Sequence, residues 1–183
     1  MGFSKFLSSR IDALKELVGI LGREFEYVSV LGADTKSLSI RADKSSSSIN
    51  EGNDYDSGFV IKLSRNGIFY EYSMDDIHGD KNALVEEILR SFRFSRKLGA
   101  KPIGVRDLSD EPLIQSFSRP GDLSERSEEE LLTFCRNLRD QVSEKSENLL
   151  NVSVGLYTME TSKLFISPNR ELDQNYAWVN GHV

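Results

Sequence analysis

NVSVGLYTMETSKLFISPN, Asn151 to Asn169, set beneath YVSVLGADTKSLSIRADK, Tyr27 to Lys44, is the comparison that decides how this chain is organised. Both stretches open on Val-Ser-Val, pass through a short polar stretch and end in polar residues after a second apolar run. Each also follows an amphipathic helical pattern. Before the first, Phe3, Phe6, Leu7, Ile11, Leu14, Leu17, Val18 and Leu21 recur at helical spacing, and Gly22 stands where a left-handed residue would end the helix. Before the second, Leu131, Leu132, Cys135, Leu138 and Val142 form an apolar stripe behind a capping box of Ser127 and Glu130. The polar residues Gly32-Ala33-Asp34-Thr35 then read as the turn of a hairpin, and so does the middle of the second stretch. The expected fold is α+β: two repeated helix-plus-antiparallel-hairpin units, one antiparallel or mixed sheet per unit, covered by helices on one face.

A further hairpin lies between them. In FVIKLSRNGIFYEYS, Phe59 to Ser73, Asn66 and Gly67 both tolerate the positive φ of a tight primed turn. That register sets Leu63 opposite Tyr70 and Ile61 opposite Tyr72 on an apolar face, with Lys62 opposite Glu71 on the other. The polar run DKSSSSINEGNDYDSG before it reads as a long loop. Leu84, Val85, Ile88, Leu89 and Phe92 mark a second helix, entered through DDIHGD and closed near Gly99. Residues 101–123 hold three of the four prolines and read as an extended linker, with Ile103, Val105, Leu113, Ile114 and Phe117 ready to pack. The expected division is a first unit over 1–100, the linker over 101–123, and a second, truncated unit over 124–183. In that unit Tyr176 to Val179 is a short strand whose hairpin partner would lie beyond Val183.

The 183 residues carry a formal net charge of −6, which argues against general affinity for nucleic acid or an anionic membrane. No apolar run reaches the length of a membrane span, and charges come too early in MGFSKFLSSRIDALKEL for a signal peptide, so the expected location is cytoplasmic. A single cysteine excludes an internal disulfide. The sequon at Asn151 reads as accidental, because a cytoplasmic protein does not meet the glycosylation machinery. Gly2 lacks the Ser or Thr that myristoylation wants at Phe6.

Five clusters could carry chemistry, and each has a plainer structural reading. The acids around His78, from Asp75 to Asp80, could hold a divalent ion, but acids at a helix start complement its dipole. Cys135 sits on an apolar stripe as a buried thiol does. Arg90, Arg93 and Lys97 interleave with Phe92 and Phe94, yet cations in a last helical turn suit its negative end. Glu128, Glu129 and Glu130 occupy a first turn, and Ser45 to Ser48 have no base beside them. No catalytic, cofactor or metal residue is assigned.

The Tyr27–Lys44 and Asn151–Asn169 stretches, a loop ending DSG before a strand, the aromatic return strand GIFYEYS and the later SPNREL together resemble the N-terminal region of the TldD/PmbA metallopeptidases, also called modulators of DNA gyrase. The likeness spans nearly the whole chain; Lys62 stands in a strand where that family usually has an arginine. It implies a non-catalytic piece of a longer peptidase acting on peptides, serving subunit assembly and walling a peptide cleft. Zinc, where present, belongs to an H-E-x-x-x-H helix and a cysteine outside this region, so this chain is expected to need no cofactor. The implied partners are the chain's own C-terminal region or a homologous subunit, with a peptide as the bound substrate. The alternative is a free-standing protein-binding module without activity.

Overall fold

The Asn66-Gly67 turn closes as the sequence requires, with φ of 54° and 72°. It joins β3 (Asp56–Arg65) to β4 (Ile68–Met74) in the expected register, Leu63 opposite Tyr70, Ile61 opposite Tyr72 and Lys62 opposite Glu71. Lys62 Nζ meets Glu71 Oε1 at 2.9 Å, and that hydrogen bond raises the lysine's pKa. In this computed structural model the described residues are 3–52, 56–77, 79–97, 99, 101–102, 111–119, 126–145 and 147–183.

The helices form where periodicity places them, with one break. Residues expected as a single first helix split into α1 (Lys5–Ser8) and α2 (Ile11–Leu21), with Arg10 at the junction. Gly22 is right-handed, φ −63°, contrary to expectation; the chain leaves α2 through turn bonds from Arg23 and Glu24 to Ile20 and Leu21 carbonyls. Helix α3 (Lys81–Lys97) buries Val85, Ile88, Leu89 and Phe92. The expected capping box is present on α4 (Glu128–Ser143): Glu130 N–H donates to Ser127 Oγ, and Ser127 N–H donates to Glu130. Such a cap is worth about 1 kcal/mol.

The two stretches expected as hairpins are each one long strand. Strand β1 (Tyr27–Ala42) runs straight through Gly32-Ala33-Asp34-Thr35, and β6 (Val154–Ile166) runs through its own polar middle. They pair with each other, antiparallel, from Val30 opposite Ile166 to Ala42 opposite Val154. Gly32 is glycine because Leu7 and Phe59 lie over it: a Cβ there would sit 2.9 Å from each. The polar residues are satisfied within the sheet, as Thr35 Oγ1 and Thr161 Oγ1 show at 3.3 Å. One mixed sheet thus spans both expected units, instead of one sheet for each.

The remaining strands depart from expectation too. Ser47–Glu51, read as loop, is β2, folded back on β1. Leu113–Arg119, read as linker, is β5; it is extended as expected, but all seven residues are exposed and it pairs in parallel with β7 (Arg170–His182). Tyr176 to Val179 is an inner part of β7, bonded to β6 along its length, so the expected unpaired terminal strand is not found. Ile103 and Val105 lie outside the described residues. The strand order is β4-β3-β1-β6-β7-β5, with β2 beside the far end of β1, and β5 with β7 is the parallel pair among the described strands.

Two apolar clusters sit on one face of this sheet. Val28 and Val30 of β1 join Leu164 and Ile166 of β6 beneath α1, α2 and α3, while Ile40, Ala42, Val154 and Leu156 lie beneath α4. All eight occupy even positions of unbroken strands, so alternation puts the four described helices on the same side.

Candidate functional site

Alternation leaves the odd positions of β1 and β6 on a face that no helix among the described residues covers. Across it runs an apolar row: Val60 lies opposite Leu31, Leu31 opposite Phe165, and Phe165 opposite Leu172. Four strands at about 4.8 Å spacing make this row about 14 Å wide. Trp178 stands opposite Met159, with the Tyr157 ring 5.5 Å from its own. Leu31 is 45% and Trp178 42% exposed. Around them are groups that tolerate water or pairing, including Lys163, whose ammonium lies 5.8 Å from the Tyr176 ring centroid. An apolar centre with a polar rim is the layout of a protein contact surface.

The sheet edges differ. Strand β4 presents Glu71, already paired to Lys62, as a charged edge strand usually does. Strand β5 carries one charged residue, Arg119, and exposes apolar side chains on both faces, Ile114 (82%) on one and Phe117 (54%) on the other. Its outer backbone groups have no neighbour strand among the described residues. Such an edge suits strand addition.

Several of the residues weighed for chemistry make structural contacts. Asp76 accepts Arg10 Nε and Nη2 at 2.7 and 2.8 Å, which raises the arginine's pKa, and also accepts Ile77 N–H at 2.7 Å. Asp80 caps α3 through Asn82 N–H at 2.9 Å. His78 lies outside the described residues. No cluster of three or more His, Cys, Asp or Glu among the described residues has a metal-binding arrangement. Cys135, on α4, is fully buried against the sheet, and burial raises its thiol pKa. Arg90, Arg93 and Lys97 are exposed, Phe92 belongs to the core, and Phe94 is exposed beside Arg90 and Tyr70. Glu130 is held low by the Ser127 backbone N–H in its cap.

The serine run is ordered by one carboxylate. Asp43 Oδ1 accepts Ser45 N–H, Ser45 Oγ–H and Ser46 N–H at 2.9, 2.9 and 2.8 Å, and Arg139 of α4 donates to the Asp43 carbonyl at 2.8 Å. These bonds, the Ser45 backbone N–H first, lower the carboxyl from 3.8 to about 2. The folded value is depressed, so the stability it contributes is present above pH 3.8 and fades as pH falls toward 2. A carbon-detected titration is expected to show Asp43 turning over near 2 in the folded chain. A midpoint at the ordinary carboxylate value would mean that the turn does not hold the charge.

The open face was illegible because Gly32-Ala33-Asp34-Thr35 imitates a turn, which breaks the alternation needed to assign Leu31 and Phe165. Its signal was the Leu31-Ala33-Thr35 alternation itself, visible only once the strand is known to continue.

No protein-family model matches this sequence, and no curated protein matches it. Solved structures do share its fold. A protein described as a candidate modulator of DNA gyrase from Bacteroides thetaiotaomicron superposes with a TM-score of 0.69 at 12% identity, over 93% of this chain and 39% of that one. A second candidate modulator of DNA gyrase, from Thermotoga maritima, gives 0.67 at 13%, over 92% and 38%. TldE from Thermococcus kodakarensis gives 0.59 at 15%, over 91% and 37%. The chain therefore has the α+β fold found in the modulators of DNA gyrase and TldE, and the resemblance drawn from the sequence holds at the level of fold. It spans about two fifths of the length of each. Among the described residues no helix is long and apolar enough to cross a membrane.

Proposed function

We propose that this chain is a non-catalytic domain of a TldD/PmbA-like peptidase, building the assembly and walling a peptide cleft. The observation that carries it is the uncovered sheet face, with Leu31, Phe165, Leu172 and Trp178 exposed or half-buried across adjacent strands. A face of this kind packs on a further part of the same chain or on a homologous subunit, consistent with solved relatives of the fold being more than twice as long. Zinc chemistry, in this reading, belongs outside the chain. The purified protein is expected to hold no stoichiometric zinc and to cleave no unfolded peptide. One zinc per chain surviving chelator dialysis overturns the non-catalytic reading.

Light scattering over a range of concentrations, with hydrogen exchange read at each residue, tests the assembly role. Association is expected, with added protection at Leu31, Phe165 and Trp178. A chain that stays monomeric with this face unprotected counts against it. The second reading, a free-standing binding module, is favoured by β5, whose exposed outer edge can take an extended peptide by main-chain hydrogen bonds.

A further inference from the structure

Between its two apolar clusters the helix-bearing face turns polar. Four strands contribute one lateral row there: Ser57 is opposite Asp34, Asp34 opposite Ser162, and Ser162 opposite Asn175. In the next row Lys36 is opposite Glu160. These six residues line a cavity of about 610 Å³, open on one side and lipped by Phe3 and Ser4. That volume suits a small ligand.

Asn175 sets this cavity apart from an ordinary gap between helices. It is 4% exposed, and its Oδ1 takes the Ser162 hydroxyl at 3.4 Å, but its Nδ2 is buried without a hydrogen-bond partner among the described residues. A buried donor left unpaired is costly, on the order of 1–3 kcal/mol, and native proteins keep few of them. The donor here lacks only an acceptor. The surrounding charges restrict what could supply it. A simple anion would face Asp34 and Glu160, and a simple cation would face Lys36 and Lys5. Glu160 is itself half-buried, and burial raises its carboxyl pKa against the pull of the positive charge already near it, so its ionised form gains from a further positive group.

We propose that this cavity binds a short zwitterionic peptide, with a ligand carbonyl or carboxylate oxygen accepting from Asn175 Nδ2, the ligand ammonium beside Glu160, and its carboxylate toward the lysines. The ligand reaches Nδ2 by displacing the Phe3–Ser4 lip. That lip is held to the floor by Ser4 N–H to Ser162 Oγ at 3.1 Å and Ser4 Oγ–H to Asp34 at 2.5 Å. The inference deepens the peptide-cleft reading and rests on it only for the choice of a peptide as probe.

The test is a nitrogen-15 NMR titration of the whole chain with triglycine. Saturable shifts are expected at Ser4, Asp34, Glu160, Ser162 and Asn175. N-acetyl-triglycine, which lacks the ammonium, should bind about tenfold more weakly. Asn175→Leu, nearly isosteric, should also bind about tenfold more weakly with melting temperature retained. Glu160→Gln, at a half-buried position, should lose the preference for the free ammonium and stands in if the first variant fails to fold. Equal affinity for triglycine and its acetylated form, absence of saturation, or the same shifts from inorganic phosphate alone overturns the proposal. The opposite sheet face is read separately by light scattering, so a failure here leaves the assembly result standing, and the reverse.

Discussion

Replacing Phe59 by alanine is expected to lower the unfolding free energy by about 3–5 kcal/mol. Folded domains have about 5–15 kcal/mol in all, so the variant should lie near the edge of stability. Phe59 is 2% exposed and stands directly opposite Gly32. Its ring occupies the space a side chain at Gly32 would take, and the Phe6 ring covers it with centroids 5.4 Å apart. Truncation leaves a void that glycine cannot fill, under the short helix α1. Urea unfolding with an unchanged slope and a lower midpoint is the expected measurement. Gly32→Ala should also destabilise, since its Cβ would meet Leu7 and Phe59 at 2.9 Å. Combined with Phe59→Leu it should cost less than the two single changes summed, because the added methyl occupies the vacated space. A loss below about 1 kcal/mol for Phe59→Ala would show that Phe6 and Leu7 collapse into the void.

Leu31→Glu with Trp178→Glu is expected to abolish association through the open face. Each apolar anchor at the centre of an interface is worth about 2 kcal/mol or more, about thirtyfold in affinity, so the pair should weaken binding by about a thousandfold. The folded chain should tolerate both changes, since the side chains are 45% and 42% exposed. Light scattering should therefore report a monomer, with the melting temperature that the unaltered chain has when diluted until it dissociates. Ile114→Asp on β5 separates the two readings of the surface. If association survives the open-face pair but is lost with Ile114→Asp, the β5 edge is the interface, and strand addition replaces face-to-face packing as the mode of assembly.

Where a structural decision is local, the residues made it alone. Asn66 and Gly67 have φ of 54° and 72°, and a two-residue turn admits one register, so every pair in the β3–β4 hairpin follows from the sequence. Ser127 and Glu130 satisfy each other's backbone three residues apart, so the start of α4 was equally legible. The apolar spacing of α3 selected its buried side. Tertiary structure decided whether β1 and β6 turn or continue. Gly32-Ala33-Asp34-Thr35 has turn chemistry, and pairing with β3 and β6 holds it extended, with Phe59 and Leu7 above Gly32 and Thr161 against Thr35 126 residues away. Strand β5 has the same origin, since LIQSFSR between polar, proline-bearing flanks becomes a strand only because β7 offers it an edge. The open face and the polar row at Asn175 exist only when these distant strands pair, because backbone pairing, unlike a turn or a cap, is satisfied by residues that no local window contains.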